Sequence, residues 1–285
     1  MRFEKAVPAY FEILFSETIA YSDVWKERLQ TAIGFSKEEL AELDLSYGSL
    51  LGDLLNAFIA KYHILKIDFI ASHGHTVLHE PHKRITLQVG NGQVIASKTQ
   101  CKVVCDFRTQ DVQLGGQGAP LVPIGDALLF GSFDACVNLG GFANISYQQG
   151  DHRIAFDVCP VNIVLNHYTN KLGLPFDEGG KIAAQGAFNQ DLFDVLNSLE
   201  YYHQGYPKSL GLEWVQEHIF PLIDAMNLEV SSILNTFTKQ SAFQLSRALM
   251  GKNTVLITGG GAYNSYLISE LKQQVSISIA EVDDG

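Results

Sequence analysis

The sequence predicts an α/β protein, because segments with the periodicity of helices alternate with strand-like segments along its 285 residues. The strongest helical signal begins at Ser36, whose S-x-x-E context has the form of a capping box, and continues as an apolar stripe to Tyr62. The strongest strand signal is the pair of β-rich runs on either side of Gly140-Gly141. A chain of this length is long enough for two domains of ordinary size.

The composition narrows the class of protein. Hydrophobic residues make up 46% of the chain and charged residues 18%, which is typical of a globular protein. The formal net charge of −11 disfavours a nucleic acid or an anionic membrane as a partner. The sequence has no apolar run of about 18 residues, no signal-peptide core and too few cysteines for a disulfide framework. We therefore expect a soluble cytoplasmic protein.

The amino-terminal third begins with strand and helix patterns. Residues 9–20 alternate as a long strand would, and residues 22–33 follow as a helix that Ser22 is placed to cap. After the apolar stripe that ends near Tyr62, residues 67–72 predict a short strand.

A hairpin is predicted next. Residues 85–99 alternate on both sides of Asn91-Gly92, a pair that favours a type I′ turn. Residues 101–107 predict another strand, and the glycine-dense turn 115–118 leads into a helix at 124–130. The glycine turn exposes backbone N–H groups that can bind an oxyanion, although it also fits a simple connection.

Four histidines, His73, His75, His79 and His82, lie within ten residues. Imidazole is a common metal ligand, so a metal site, as in a His-dependent metallohydrolase, is one interpretation. His73 and His75 would share one face of a strand. However, the spacing contains no H-E-x-x-H pair and Glu80 is the only nearby acidic ligand. The pattern therefore favours histidines that line a polar cleft or face solvent.

The segment from Cys136 to Asn162 is a candidate functional site. A paired glycine at 140–141 lets the backbone bend sharply and approach a ligand closely. The strand at 153–156 then places Asp157 at its carboxyl end, just before a helix, where catalytic groups are common. The same pattern also fits a surface β-meander with an ordinary turn aspartate, so the residues alone leave both interpretations open.

The carboxyl-terminal half is mainly helical, with helices predicted at 189–200, 211–226 and 229–250. Gly179-Gly180-Lys181 is not a Walker A motif, because residue 182 is Ile and the spacing is wrong. Residues 254–275 predict a strand, a turn of three glycines and an amphipathic helix. Such a unit is compatible with a nucleotide, although it lacks the Rossmann fingerprint.

Several motifs occur together, and their combination is more specific than any of them alone. In order and spacing they resemble the 1,6-anhydro-N-acetylmuramic acid kinase family over about residues 65 to 275. The two most specific motifs are GGQGAPLVP at 115–123 and NLGGFANIS at 138–146. The others are D-F-R-x-x-D at 106–111, FDxxPxN at 156–162, PKSxG at 207–211 and GGGxxN at 259–264.

The resemblance implies a more detailed fold than the periodicity does. The family belongs to the superfamily of sugar kinases, actin and heat-shock ATPases, which implies two ribonuclease-H-like α/β domains around a central cleft. We expect an amino-terminal domain at residues 1–133 and a carboxyl-terminal, nucleotide-side domain at 134–285. The family's first phosphate hairpin, S-G-T-S-x-D-G, and its last helix have no counterpart in the sequence. Both domains are therefore expected to be incomplete relative to the family.

The resemblance also implies an activity. The family hydrolyses the 1,6-anhydro bond and phosphorylates the C6 oxygen of the sugar with ATP and Mg²⁺, which gives N-acetylmuramic acid 6-phosphate in peptidoglycan recycling. Asp157 matches the aspartate that serves as general base in this reaction, a role that a carboxylate within reach of water can perform. The implied partners are the amino sugar, ATP and a second copy of the chain in a homodimer.

The remaining site residues follow from the same match, position by position, and none is expected to bind a metal directly. The histidine cluster thereby becomes part of a sugar site, which makes the metal interpretation weaker. The cofactor-binding positions are Gly140, Gly141, Gly259, Gly260, Gly261 and Asn264, and the substrate-binding positions are His73, Gly74, Arg108 and Asn162.

The sequence departs from the family at three notable positions. Cys159 and Val161 stand where the family has glycines after the aspartate, and His75 stands where it has glutamine. Together with the absent first phosphate loop, these departures leave a second hypothesis open. Under that hypothesis the chain is a non-catalytic relative that binds the sugar or the nucleotide.

Overall fold

The computed structural model describes residues 2–4 and 10–280, and it confirms the α/β class. The chain divides into two compact units between residues 121 and 122. The division falls there because the helix Val122–Leu129 packs against strands of the second unit. The predicted boundary at 133/134 between two ribonuclease-H-like domains stays a prediction.

The described part of the first unit combines four α-helices with three pairs of strands. Its strands and helices, in chain order, are β1 (Arg2–Glu4), β2 (Tyr10–Glu12), α1 (Asp23–Thr31), α2 (Lys37–Lys61), β3 (Ile70–Ser72), β4 (His75–Glu80), β5 (Ile85–Val89), α3 (Gly92–Thr99), β6 (Val103–Cys105) and α4 (Thr109–Gln113).

The strands of the first unit pair two by two. β1 and β4 are antiparallel to β2 and β5, respectively, whereas β3 and β6 are parallel. The predicted capping box of α2 is confirmed: Ser36 Oγ accepts the N–H of Glu39, and the Glu39 carboxylate accepts the N–H of Ser36. The buried side of α2, with Leu43 and Tyr47, packs against Leu29 and Val89 to form the core of this unit.

The predicted long strand at 9–20 is wrong. Residue 9 lies outside the described part of the chain, β2 covers only Tyr10–Glu12, and residues 13–22 are not part of a strand or helix. Ile13 is 60% exposed and Leu14 50% exposed, so the alternation does not correspond to a buried face. A strand is stabilised where a neighbour pairs with it, and the described pairing of β2 with β1 ends at Glu12.

The predicted hairpin at 85–99 is also wrong, because a helix replaces its second strand. β5 ends at Val89, and Asn91 caps α3 by accepting the N–H groups of Gln93 and Val94, each at 3.1 Å. Asp44 of α2 holds this turn: its carboxylate accepts the N–H of Gly90 and the Asn91 amide, each at 2.8 Å. A contact from a distant helix therefore outweighs the local preference of Asn-Gly for a type I′ turn.

The second unit is built on one mixed sheet. Its elements, in chain order, are α5 (Val122–Leu129), β7 (Ala135–Leu139), β8 (Phe142–Gln149), β9 (His152–Pro160), α6 (Asn162–Asn170), α7 (Lys181–Gln185), α8 (Gln190–Asn197), α9 (Leu212–His218), α10 (Phe220–Ala225), α11 (Val230–Ala248), β10 (Thr254–Thr258), α12 (Ser265–Gln274) and β11 (Ser278–Ala280).

The order of strands in this sheet is β11-β10-β7-β8-β9. β10 runs parallel to both β7 and β11, whereas β7, β8 and β9 form an antiparallel meander, as the sequence predicts. Alternate residues of β7, together with Tyr168 of α6 and Phe237 of α11, are fully buried in one large core.

The predicted helix 211–226 is two helices, because Pro221 occupies the first turn of α10. No helix among the described residues has the length and apolar character needed to cross a bilayer.

The cap of α3 supplies a test of the first unit. We expect Asn91→Ala to lower the free energy of unfolding by about 1 kcal/mol or more, because two backbone N–H groups and Asp44 lose their partner. Gln93→Ala, an exposed change on the same helix, is the control and should stay within about 0.5 kcal/mol of the wild type. Urea unfolding measures both variants, and equal stability of the two would contradict the capping role.

Candidate functional site

Two glycine turns meet at one edge of the sheet in the second unit. β7 and β10 are parallel neighbours, with Asn138 paired to Thr258, so their carboxyl ends lie side by side. Gly140-Gly141 follows the first strand directly, and Gly259-Gly260-Gly261 follows the second. The carboxyl edge of a sheet is where α/β proteins commonly bind ligands.

The two turns are in close contact. A Cβ atom at Gly259, whose φ is +83°, would lie 2.7 Å from the Asn138 Oδ1 atom. A Cβ atom at Gly261 would lie 2.7 Å from the Leu139 Cβ atom. At Gly260, in contrast, no atom lies within 4 Å of an added Cβ, so this glycine faces open space.

The start of α6 is fastened to the same edge. The N–H groups of Val161 and Ile163 donate to the Gly141 carbonyl at 2.8 and 3.2 Å. The Asn162 side-chain amide donates to the Leu139 carbonyl at 3.2 Å. The structure therefore brings together residues of three sequence motifs, because Asn162 lies close to both glycine turns.

Asn264 caps the helix that follows the second glycine turn. Its buried side-chain oxygen accepts the N–H of Leu267 at 3.0 Å, which starts α12. The same oxygen contacts the position that a Cβ atom would take at Gly180, and Ser265 Oγ donates to the Gly179 carbonyl at 3.0 Å. Ser265 therefore holds the Gly179-Gly180 turn at the start of α12, and Asn264 packs closely against it.

A cavity of about 720 Å³ opens beside this edge, which is within the usual size range of small-molecule sites. It contains the predicted residues Asn162, Gly260 and Asn264. The sequence does not predict the rest of the wall, because Gly179-Gly180-Lys181 lacks the spacing of a Walker A motif and resembles no other binding motif. The other lining residues are Leu165, Asn166, Phe176, Asp177, Glu178, Gly179, Lys181 and Tyr263.

Two acidic residues of that wall already have partners. The Asp177 carboxylate accepts the N–H groups of Ile182 and Ala183, each at 2.9 Å, and so caps α7. Glu178 forms an exposed ion pair with Lys181 at 3.0 Å. A second cavity, of about 660 Å³, shares Asn162 and Asn166 with the first and also borders Gly141.

Asp157 lies inside a strand rather than at its end, which corrects the sequence prediction. β9 continues to Pro160 because β8 is long enough to pair with it throughout, with a register shift beside the pair of Asn144 and Asp157. The Asp157 carboxylate is half-buried and accepts the N–H of Leu210 at 2.8 Å. Burial raises the pKa of this carboxyl above its ordinary value, and the Leu210 hydrogen bond partly offsets that rise.

The residues that replace family glycines point into the core. Cys159 and Val161 are both fully buried in the hydrophobic cluster of the second unit. Burial raises the pKa of the Cys159 thiol to about 12, so the thiol is neutral. The side chains of Cys159 and Val161 therefore fill the core, and they line neither of the two cavities described above.

In the first unit, Arg108 and His73 form a defined pair. Arg108 donates from Nε and Nη2 to His73 Nε2 at 3.2 and 2.9 Å, and from Nη1 to the Gly118 carbonyl at 2.6 Å. Because a guanidinium only donates, His73 Nε2 is an acceptor and the ring proton lies on Nδ1, which donates to the Gly74 carbonyl at 3.1 Å. His73 and Gly74 line a polar cavity of about 290 Å³ together with Asp44.

The predicted shared face of His73 and His75 is wrong. β3 ends at Ser72 and β4 begins at His75, and Gly74, with a φ of +70°, turns the chain between them. His75 instead lies edge-on to the Tyr47 ring, 6.4 Å between centroids. Burial lowers the pKa of His75 and of His79, and nearby His73 and Arg108, respectively, lower it further. Across the residues that the structure describes, no three His, Cys, Asp or Glu side chains are grouped to hold a metal ion.

Comparison with known proteins identifies clear relatives. Residues 11–284 match the family model described as anhydro-N-acetylmuramic acid kinase. The anhydro-N-acetylmuramic acid kinase of Shewanella putrefaciens is 36% identical over 247 residues, which cover 81% of this chain and 67% of the relative. That of Shewanella denitrificans is 37% identical over 253 residues, covering 83% and 68%. Among solved structures, component A of the (R)-2-hydroxyglutaryl-CoA dehydratase of Acidaminococcus fermentans matches with 12% identity, a TM-score of 0.36 and 70% of each chain.

The contact between the glycine turns can be tested with two matched variants. We expect Gly261→Ala to lower the free energy of unfolding by about 1–3 kcal/mol, because the new methyl group overlaps Leu139. Gly260→Ala adds the same methyl group in open space and should stay within about 0.5 kcal/mol of the wild type. Thermal and urea unfolding measure the difference. A Gly261→Ala variant as stable as Gly260→Ala would show that the two turns are not in contact.

Proposed function

The chain belongs to the anhydro-N-acetylmuramic acid kinase family, and we propose on that basis that it opens 1,6-anhydro-N-acetylmuramic acid and phosphorylates the C6 oxygen with ATP. The observation that carries this proposal is the meeting of two glycine turns and Asn162 beside a cavity of about 720 Å³. The product, N-acetylmuramic acid 6-phosphate, belongs to peptidoglycan recycling, which we place in the cytoplasm because ATP is available there. The homodimer that the resemblance implies stays a prediction.

The nucleotide is proposed to occupy the cavity bordered by Gly260 and Asn264. Its volume suits a nucleotide, and the absence of a side chain at Gly260 lets a ligand approach the backbone closely. The phosphates would point toward Gly140-Gly141, which lies at the same edge of the sheet. Backbone N–H groups of such turns stabilise phosphoryl oxygens by position and charge rather than by covalent chemistry.

Mg²⁺ fits this site only as an ion that the nucleotide carries. Asp177 already accepts two backbone N–H groups and Glu178 is paired with Lys181, so the cavity offers no free carboxylate cage. Mg²⁺ commonly keeps several water ligands and binds through substrate phosphates, which agrees with this lining. Bound in that way, the ion neutralises charge on the phosphates.

Asp157 is proposed to be the general base. Its carboxylate would take a proton from a water molecule, whose oxygen attacks the anomeric carbon while the bond from that carbon to the C6 oxygen breaks. The freed C6 oxygen then forms a bond to the γ-phosphorus of ATP, and ADP leaves. Burial raises the pKa of Asp157, which makes the ionised carboxylate a better proton acceptor than an exposed aspartate.

Arg108 and His73 are proposed to recognise the amino sugar. Arg108 holds His73 in one tautomer and one orientation, while Gly74 places the cavity wall close to the backbone of β5. The polar lining of this cavity suits hydroxyl and amide groups, which need hydrogen-bond partners when they leave water.

The base assignment predicts the behaviour of Asp157→Asn. Turnover should fall by about 100-fold or more, because an amide cannot accept the proton, while its oxygen still accepts the Leu210 N–H. Coupled release of ADP, with ATP and the anhydro sugar as substrates, measures turnover, and calorimetry measures binding of both ligands. Asp151→Asn, the same change at an exposed turn, is the control and should keep wild-type turnover.

A measurement of the stability of Asp157→Asn shows whether a loss of turnover comes from lost catalysis or from unfolding. A carboxyl whose pKa is raised by folding costs stability in its charged form, and this cost grows as the pH rises from about 3.9, the unfolded value, to the folded pKa. The variant should therefore be at least as stable as the wild type at pH 8. Full turnover in Asp157→Asn would contradict the base assignment, and a wild type that forms no product would contradict the proposed function.

The sugar assignment predicts the behaviour of Arg108→Lys. The KM for the sugar should rise about 10-fold, because lysine keeps the charge but has one nitrogen in place of the three that bond the Gly118 carbonyl and His73. The KM for ATP should not change. Arg84→Lys, the same change at an exposed position, is the matched control. An unchanged sugar KM in Arg108→Lys would exclude this role for the pair.

A further inference from the structure

The outer edge of β9 is covered by residues 206–210. Among the described residues β9 is the last strand of its sheet, so no described strand pairs with its outward N–H and C=O groups. The covering segment contacts Asp157 twice: the Asp157 N–H donates to the Lys208 carbonyl at 3.2 Å, and the Leu210 N–H donates to the Asp157 carboxylate at 2.8 Å. Both the backbone and the carboxylate of Asp157 therefore depend on where this segment lies.

The Lys208 side chain fastens the segment to the 3-10 helix Glu200–His203. Its ammonium donates to the Tyr201 carbonyl at 3.1 Å and lies 4.5 Å from the centroid of the Tyr201 ring. Tyr201 in turn donates its hydroxyl to the Asp157 carbonyl at 2.6 Å. Asp157, Lys208 and Tyr201 thus form a closed ring of three hydrogen bonds, which we call the brace and in which each residue contacts the other two.

This ring of hydrogen bonds explains why the charged side chain of Lys208 is partly buried, although burying a charge costs free energy. The side chain is half-buried, and burial lowers the pKa of its ammonium, with Arg247 lowering it further. The ammonium of Lys208 is therefore partly dehydrated where it lies over the Tyr201 ring. A lysine on a surface turn commonly keeps its ammonium in water instead. Lys208, like Asp157, lies outside the lining of both cavities beside α6, and its ammonium contacts Tyr201 instead.

We propose that Lys208 is a positioning residue, which holds the Asp157 carboxylate in its working orientation by fixing residues 206–210 against β9. The inference rests on the proposed function, in which Asp157 is the general base. Loss of the ammonium frees the segment from Tyr201, and the carboxylate then loses the Leu210 N–H that orients it. A misplaced base slows the proton transfer without removing a contact to either substrate.

The first test compares turnover in four variants. Lys208→Met, which keeps the length of the side chain, should lower kcat about 10- to 100-fold and leave the KM for ATP and for the sugar within about 2-fold of the wild type. Lys208→Arg keeps a cation and should restore most of the loss. Tyr201→Phe removes only the hydroxyl donor and should lower kcat by less than Lys208→Met. Lys252→Met is the matched control, because Lys252 lies 4.0 Å from the Tyr147 ring but touches no part of the brace.

The pH profile gives a readout that a purely structural role would not change. In Lys208→Met the acid limb of kcat should move to higher pH, because the Leu210 hydrogen bond that lowers the pKa of Asp157 is lost. The other titratable groups near Asp157 are Tyr201 and Cys159, and burial raises the pKa of both, so they stay neutral through the assay range. The charged side chains closest to this segment are those of Lys208 and Arg247.

Amide hydrogen exchange tests the brace independently of enzyme activity. The N–H groups of Asp157 and Leu210 should exchange faster in Lys208→Met than in the wild type or in Lys252→Met. Unchanged exchange at both positions would overturn the brace, and faster exchange with unchanged kcat and pH profile would overturn its role in positioning the base. If Lys208→Met does not fold, Tyr201→Phe supplies the same comparison. A wild type that forms no product would instead contradict the proposed function, whatever the exchange data show.

Discussion

The parallel pairing of β7 with β10 is the constraint on which the candidate site depends. These strands are separated by more than one hundred residues of sequence, yet their register places Asn138 beside Thr258. Because the strands run in the same direction, the two glycine turns that follow them must emerge at the same edge. A one-residue slip would turn the buried side chains of the strand to the other face, so the core that fixes the register also fixes the site.

The three glycines after β10 differ in what surrounds them: two pack against the end of β7, and one faces open space. Gly259 and Gly261 are packed so tightly against the end of β7 that a methyl group at either would overlap existing atoms. Gly260, between them, faces open space and borders the cavity. One run of three identical residues therefore contains two structural positions and one position that is free for a ligand.

Each unit uses half-buried charges to hold a segment of the chain in place. In the first unit, Asp44 fixes the turn before α3 and Arg108 fixes His73. In the second, Lys208 fixes the segment that covers the edge of β9 and contacts Asp157. Charged hydrogen bonds of this kind are stronger than neutral ones and cost more when one partner is removed. Such groups are expected where a loop must be held in one conformation.

The sequence by itself determined the α/β class, the capping box of α2, the antiparallel meander around Gly140-Gly141 and the family. Each of these depends on local spacing or on a linear motif. Only the tertiary structure decided that residues 85–99 are a strand and a helix, because Asp44 from a distant helix holds Asn91. It also decided that Asp157 lies within a strand, and that residues 177–181 form a cavity wall. These outcomes depend on partners far away in the chain, whose contacts local preferences do not encode.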